Sequence, residues 1–152
     1  MALKIRPAGE ADHLHWLALW QQYCLFYETS LSDEVTAQTW QRIITPGEPI
    51  HSLIALDDAG HALGICNYVC HPNTWSSQQT CYLEDLYVSP DARRQGVAQA
   101  LIGALTRLGR EQHWLRIYWI THDDNAPARA LYDAVAKNTG HTRYEIALTP
   151  SS

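Results

Sequence analysis

Apolar and polar positions along this chain follow two periods, one near two residues and one near 3.6, and the switches between them mark the elements. Lys4-Ile5-Arg6 predicts a short first strand. Over positions 10–27 the period lengthens to that of a helix: Leu14, Leu17 and Leu25 recur at helical spacing, and Gly9 or Asp12 is placed to cap it. Ser32 stands at the N-cap of a second helix, which runs through Trp40 and Ile43 and stops before Pro46-Gly47. Two apolar runs, positions 50–56 and 62–70, flank the turn signal Asp57-Asp58-Ala59-Gly60 and predict a hairpin. Positions 80–88, rich in aromatic and β-branched residues and closed by Ser89-Pro90, predict a fourth strand. From Gln95 to about Gln112, residues Ala98, Leu101, Ile102, Leu105 and Leu108 keep the i, i+3, i+4, i+7 rule of a helix with one buried face. Positions 115–121 predict a fifth strand, 126–136 a fourth helix and 144–148 a last strand. The predicted order is β-α-α-β-β-β-α-β-α-β, an α/β (α+β) chain.

The 152 residues, 46% hydrophobic and 18% charged, suffice for one compact domain spanning 1–152, with no repeat, linker or low-complexity segment. The opening Met1-Ala2-Leu3-Lys4-Ile5-Arg6-Pro7 lacks the apolar core of a signal peptide, and no run approaches the roughly 18 apolar residues of a membrane helix. The expected compartment is the cytoplasm, with no membrane partner. A net charge of −5 argues against a nucleic-acid partner and favours cationic substrates. Cys66-x-x-x-Cys70-His71 invites a zinc reading, but four residues along a strand span about 13 Å. A zinc ion with Zn–S bonds of about 2.3 Å cannot reach both sulfurs, and a disulfide spans at most roughly 7 Å between Cα atoms. No metal and no disulfide are expected.

Chemistry concentrates where the fourth strand meets the helix after it, at Arg93-Arg94-Gln95-Gly96-Val97-Ala98. A helix N-terminus presents free N–H groups and about half a positive charge; Gly96 and the small Ala98 let phosphate oxygens approach the backbone. No Lys-Ser or Lys-Thr pair follows the glycine, so this is not a Walker loop, and the expected ligand is a pyrophosphate held without magnesium.

At these residues the chain resembles the GNAT acetyltransferase superfamily, from the first strand to the last. The signature R/Q-x-x-G-x-G/A reads Arg93-x-x-Gly96-x-Ala98, preceded by the family-like Tyr82-Leu83-Glu84-Asp85-Leu86-Tyr87-Val88-Ser89-Pro90. A second motif, Asp124-Asn125-Ala126-Pro127-Ala128-Arg129-Ala130-Leu131-Tyr132, is similar to the family's D-N-x-x-A-x-x-L-Y. Within the superfamily, Tyr-Leu-Glu-Asp-Leu with His71-x-x-Thr74-Trp75 looks like the branch of spermidine/spermine and histone/polyamine acetyltransferase-like proteins. The resemblance implies a mixed central sheet of six to seven strands flanked by four helices, acetyl-CoA as cosubstrate and, from family habit, a homodimer. It places the cofactor against Leu86, Tyr87, Val88, Arg93, Arg94, Gln95, Gly96, Val97, Ala98, Asn125, Ala128 and Tyr132, with Asn125 on the pantetheine arm and Tyr132 aimed at the sulfur. The chain departs from many relatives after the tyrosine helix, where His141 replaces an aromatic and is read as a ring packed at the sheet edge.

Acetyl transfer to an amine explains these residue types. An alkylammonium with a pKa of about 10.4 must lose its proton before it attacks, which at pH 7 costs roughly 4.6 kcal/mol. Glu84 is the candidate base, with a second reading in which it binds the substrate cation or holds a structural hydrogen bond, and Asp85 is the fallback. Strand alternation sets Tyr82, Glu84 and Leu86 on one face and Leu83, Asp85 and Tyr87 on the other, which separates the two carboxylates. By its place in the second motif Tyr132 is the candidate acid for the departing thiolate, and the resemblance implies a fourth-strand N–H near Leu86 or Val88 as the oxyanion donor. Acidic and aromatic residues around the first interhelical loop, Tyr23, Phe26, Tyr27, Glu28, Asp33 and Glu34, with His71 and Trp75, suit an amine acceptor: a polyamine, an amino acid or a protein lysine. The competing reading is a regulatory module that binds acetyl-CoA without transferring its acetyl group.

Overall fold

A computed structural model describes residues 2–150. The chain runs β1 (Lys4–Pro7), a 3-10 turn (Glu10–Asp12), α1 (His13–Phe26), α2 (Asp33–Ile44), β2 (Ile50–Leu56), β3 (Ala62–His71), β4 (Thr80–Val88), a second 3-10 turn (Pro90–Ala92), α3 (Val97–Glu111), β5 (Arg116–Tyr118) and α4 (Ala126–Val135). The strands form one sheet in the order β1-β2-β3-β4-β5, antiparallel throughout except for the parallel pair β4–β5. The residues fall into two compact units, one ending at Ile120 and the other beginning at Thr121. Among the described residues no helix is long and apolar enough to cross a membrane.

The local signals act as physical chemistry dictates. Ser32 Oγ accepts the Val35 N–H at 3.1 Å and caps α2. Asp57 Oδ1 accepts the N–H groups of Ala59 and His61 at 3.0 and 2.8 Å and closes the β2–β3 turn, where Gly60 takes a φ of +84°. At the head of α1, Asp12 accepts the Gly9 N–H at 2.8 Å and two bonds from the Arg6 guanidinium at 2.6 and 2.9 Å.

Two expectations need correction. The sheet has five strands among the described residues, not six or seven, because 144–148 forms no strand: Tyr144, Ile146 and Leu148 are 93%, 86% and 92% exposed, and no ladder partner satisfies their backbone. β5 is shorter than 115–121, since it pairs with β4 only at Thr80–Arg116, Cys81–Ile117 and Tyr82–Tyr118. The helix expected from Leu14, Leu17 and Leu25 forms as α1, and of these only Leu17 packs against the core: Leu14 and Leu25 are both 77% exposed, while Trp16, Leu19 and Trp20 are buried. Trp16, Leu19, Trp20 and Tyr23 also keep helical spacing, and their larger apolar area wins the core.

Two faces of the sheet are filled. On one, Trp16, Leu19 and Trp20 of α1 and Trp40 and Ile43 of α2 cluster with Ile54, Leu56, Ile65 and Tyr87. On the other, α3 packs closely enough that a Cβ on Gly64 would stand 3.2 Å from Val97 Cγ1 and 3.3 Å from Leu101 Cδ1. Leu101 and Leu105 are fully buried, worth about 1.5–3 kcal/mol each.

Candidate active site

A bulge governs the geometry of β4. Tyr68 of β3 stands opposite Leu83, the next residue back, Asn67, stands opposite Asp85, and Glu84 between them has no partner. On β3, Ile65 and Asn67 share a face and Tyr68 takes the other, so Asp85 and Tyr87 lie on the α1 face and Leu83 on the opposite one. The regular alternation expected of this strand is therefore broken, and Leu83 and Asp85 do not share a face. The two carboxylates are not electrically separate either. Glu84 is exposed as a residue, yet partial burial of its carboxyl raises its pKa, and the Asp85 charge adds to the rise.

Asp85 anchors a chain of hydrogen bonds. Trp16 Nε1 donates to Asn67 Oδ1 at 3.2 Å, Asn67 Nδ2 donates to Asp85 Oδ2 at 3.2 Å, and the Tyr23 hydroxyl donates to Asp85. Burial pushes the Asp85 carboxyl up, and the bonds from Tyr23 and Asn67 oppose that push. The Tyr23 phenol is raised strongly, first by burial and then by the charges of Asp85 and Glu84, and so remains a donor. Sequence reading missed Trp16 and Asn67. The available signal was a lone amide within the apolar run 62–70, because a buried amide needs partners.

The tail of α1 brings four predicted residues together. Tyr23 lies 4.8 Å from Tyr27, Phe26 lies 5.1 Å from Tyr27, and Tyr23 meets Tyr87 edge-on at 6.1 Å, all between ring centroids. The Arg93 guanidinium stands 5.6 Å from the Phe26 centroid and 5.7 Å from that of Tyr87, and its Nε donates to the Val88 carbonyl at 3.2 Å. Arg93 thus ties the end of β4 to the end of α1. Glu28 follows with a left-handed φ of 51°, while Asp33 and Glu34 occupy the exposed first turn of α2.

Beyond Arg93, the chain turns through Arg94 at φ 64° and Gly96 at φ 79° and enters α3 at Val97, two residues later than expected. No side chain caps this helix, so the N–H groups of its first turn are open, and a Cβ on Gly96 would meet nothing within 4 Å. Two left-handed residues just before an uncapped helix turn the chain so that the open N–H groups of its first turn are suited to a phosphate oxygen. Leu86 and Val88, which lead into it, are half-buried, and no described strand pairs with β4 beyond Tyr82 on that edge.

Two predicted residues lie elsewhere on the sheet. Trp75 is 87% exposed in the loop before β4, its N–H bound to Asn73 Oδ1 at 2.9 Å. That loop is at the start of β4, and the turn at Gly96 follows its end, roughly 26 Å of strand away. His71 Nε2 and the Tyr118 hydroxyl are 2.8 Å apart and join β3 to β5, which accounts for His71 structurally.

In the unit beginning at Thr121, Asn125 is the N-cap of α4 and its Oδ1 accepts the Ala128 N–H at 3.5 Å. Tyr132 is half-buried on the same helix. His141 is exposed rather than packed as expected, with Nδ1 2.8 Å from Thr139 Oγ1.

A family model described as the acetyltransferase (GNAT) family matches residues 15–136. The D-amino-acid N-acetyltransferase HPA3 of Saccharomyces cerevisiae is 33% identical over 142 residues, 93% of this chain and 88% of that protein. The thialysine N-epsilon-acetyltransferase of Caenorhabditis elegans is 32% identical over 127 residues, 82% of this chain and 76% of that protein. Among solved structures, AAC(6')-Iy in complex with the bisubstrate analogue CoA-S-monomethyl-acetylneamine shares the fold with a TM-score of 0.83 at 22% identity, covering 98% of this chain and 100% of that one. The resemblance read from Arg93-x-x-Gly96-x-Ala98 and the Asp124–Tyr132 motif thus holds at the level of the superfamily: the chain belongs to the GNAT family of acetyltransferases.

Proposed function

We propose that this chain is an acetyl-CoA-dependent N-acetyltransferase that moves an acetyl group to a primary amine by direct attack. The observation that carries the reading is the uncapped, glycine-led start of α3, reached through one short turn from the strand that bears Glu84, a carboxylate of raised pKa. Family membership and named relatives that are all N-acetyltransferases support it.

Acetyl-CoA supplies, when bound, an acetyl thioester. The backbone N–H groups from Arg94 to Ala98 hold the pyrophosphate, with Arg93, Arg94 and Gln95 beside it and Leu86, Tyr87 and Val88 along the pantetheine arm. Asn125 and Ala128 belong to the same cofactor set. Glu84 takes the proton from the substrate ammonium; a raised pKa brings its basicity nearer to that of the amine than an ordinary carboxylate would have. The freed nitrogen forms the new bond to the acetyl carbon, the carbon–sulfur bond breaks, Tyr132 gives its proton to the departing sulfur, and the second proton shed by the acylated nitrogen returns to Tyr132 through solvent. Tyr23, Phe26, Tyr27 and Glu28 line the amine side with Asp85 beneath them, and the acidic and aromatic character of the set matches a cation. Trp75 is the weakest member, being at the other end of β4.

The acceptor class is a small primary amine, with a polyamine, an amino acid or a protein lysine as the candidates. Relatives named for D-amino acids, thialysine and an aminoglycoside support a small molecule. The two units are proposed to act as one domain, since the family match runs across the boundary at Ile120. A cytoplasmic homodimer without nucleic-acid or membrane partners is the remaining part of the proposal; the exposed large apolar side chains of Tyr144, Ile146 and Leu148 support a second copy.

The test is release of free thiol from acetyl-CoA against polyamines, amino acids of both hands, aminoglycosides and lysine peptides. Release dependent on one amine class is the expected result. Tight cofactor binding with no release for any acceptor would replace the enzyme with a binding module.

A further inference from the structure

Cys70 and Cys81 are direct partners across the β3–β4 ladder. The Cys70 N–H donates to the Pro49 carbonyl at 3.0 Å, on the β2 side of β3. Both backbone groups of a strand residue point the same way, so towards β4 the Cys70–Cys81 pair is a non-hydrogen-bonded one. Such pairs have Cα atoms about 4.5 Å apart and their side chains closest. That spacing lies inside the roughly 4.4–6.8 Å window for a disulfide. The expectation of no disulfide considered only Cys66 and Cys70, which lie along one strand; register, invisible in the sequence, supplies a different pair.

The two sulfurs differ in surroundings. Cys70 is half-buried and Cys81 is fully buried. The Cys81 thiol hydrogen-bonds to the Cys70 sulfur, which lowers the Cys70 pKa and raises that of Cys81. The other two cysteines lack such a neighbour: Cys66 is fully buried with its thiol pushed up to about 12, and Cys24 is raised by burial and by Asp85.

We propose that Cys70 and Cys81 form an oxidisable dithiol, a modification site that a peroxide converts to a cross-strand disulfide. The Cys70 thiolate attacks one peroxide oxygen, the O–O bond breaks, Cys70 becomes a sulfenic acid, and the other oxygen leaves with a proton as water. The Cys81 sulfur then displaces the hydroxyl from the Cys70 sulfur; the S–S bond forms, and the hydroxide leaves with the Cys81 proton as a second water. Two thiols are oxidised and one peroxide is reduced to two waters. The bond clamps β3 to β4 where β4 pairs with β5, at Thr80–Tyr82. Nothing in this step depends on acetyl transfer.

The experiment treats the whole chain with hydrogen peroxide, alkylates the remaining thiols under denaturing conditions and maps the peptides without reduction. The expected result is loss of two of the four thiols, a linked peptide pair containing Cys70 and Cys81, and full recovery with dithiothreitol. Cys70→Ser abolishes the link, as does Cys81→Ser, while Cys24→Ser leaves it intact. Four alkylatable thiols after treatment, a sulfinic acid at Cys70 with Cys81 still free, or a link to Cys24 or Cys66 would each overturn the proposal. Should Cys81→Ser fail to fold, the half-buried Cys70→Ser variant and the wild-type map decide the matter alone.

Discussion

Asn67 on β3 donates to the Asp85 carboxylate at 3.2 Å while its own carbonyl oxygen accepts the Trp16 indole at 3.2 Å, so one amide couples α1 to the half-buried acid beside Glu84. The consequence is electrostatic. Asp85 sits on the α1 face because of the bulge at Glu84, and its charge raises the Glu84 pKa after partial burial has done so. In Asp85→Asn that charge is gone, so the acid limb of kcat/KM, if set by Glu84, moves to lower pH. An unmoved limb in Asp85→Asn, together with an unmoved limb in Glu84→Gln, removes Glu84 as the base.

Two carboxylates make stability depend on pH with opposite signs. The Arg6 hydrogen bonds hold Asp12 below the usual range, so its contribution is present above the ordinary value of about 3.9 and is lost as pH falls through the folded value. Asp85 is raised by burial, so its contribution is present below the ordinary value and is lost as pH rises through the raised one. Arg6→Met therefore costs about 1–2 kcal/mol near pH 7, discounted because the Arg6 side chain is 37% exposed, and the deficit fades towards pH 2. For Asp85→Asn the difference from wild type shifts in the mutant's favour as pH rises. Urea unfolding across pH 3 to 7 measures both slopes, and parallel slopes would contradict the assignment.

Gly64 and Gly96 separate packing from binding. A Cβ on Gly64 would lie 2.8 Å from the Tyr87 carbonyl oxygen, a backbone atom that cannot swing away, so Gly64→Ala forces α3 or β4 to shift at about 1–3 kcal/mol. Gly96 has open space around it but a φ of +79°, so Gly96→Ala meets no clash and costs about 1–2 kcal/mol in backbone conformation. At the proposed cradle the added methyl also blocks the close approach of phosphate. Calorimetry is expected to show CoA binding at least tenfold weaker in Gly96→Ala, with little change for acetyl-pantetheine, which has no pyrophosphate. Equal losses for both ligands would place the pyrophosphate elsewhere.

What could be read from the sequence was what rests on local patterns. The strands Ile50–Leu56 and Thr80–Val88 match their predicted bounds because an apolar run is closed at each by a turn signal within a few residues. The N-cap at Ser32 is equally local. What escaped depends on contacts distant in sequence. Leu14 and Trp16 both fit a helix, and only the sheet beneath α1 decides which is buried. The bulge at Glu84 is a property of β3 and β4 together, so strand alternation wrongly set Leu83 on the face of Asp85 and Tyr87, and the Cys70–Cys81 pair was hidden for the same reason. At the candidate site, the cluster of Tyr23, Phe26 and Tyr27 was legible from composition, whereas the Trp16–Asn67–Asp85 chain needed the register.

Tyr132 offers the sharpest division between chemistry and packing in the unit beginning at Thr121. It lies half-buried in α4, a helix held at its start by Asn125 accepting the Ala128 N–H. Tyr132→Phe keeps the ring and removes the hydroxyl alone, whereas Asn125→Ala removes the cap at about 1 kcal/mol. A thiolate with a pKa near that of cysteine, about 8.5, leaves without much help, so loss of an acid at Tyr132 is expected to lower kcat by about tenfold to a hundredfold. The alkaline limb of the pH profile is expected to disappear with it, because that limb records the acid losing its proton. KM for acetyl-CoA should hold in Tyr132→Phe and rise in Asn125→Ala. Unchanged turnover with an intact alkaline limb in Tyr132→Phe would make the tyrosine a packing residue and leave the sulfur to depart unassisted.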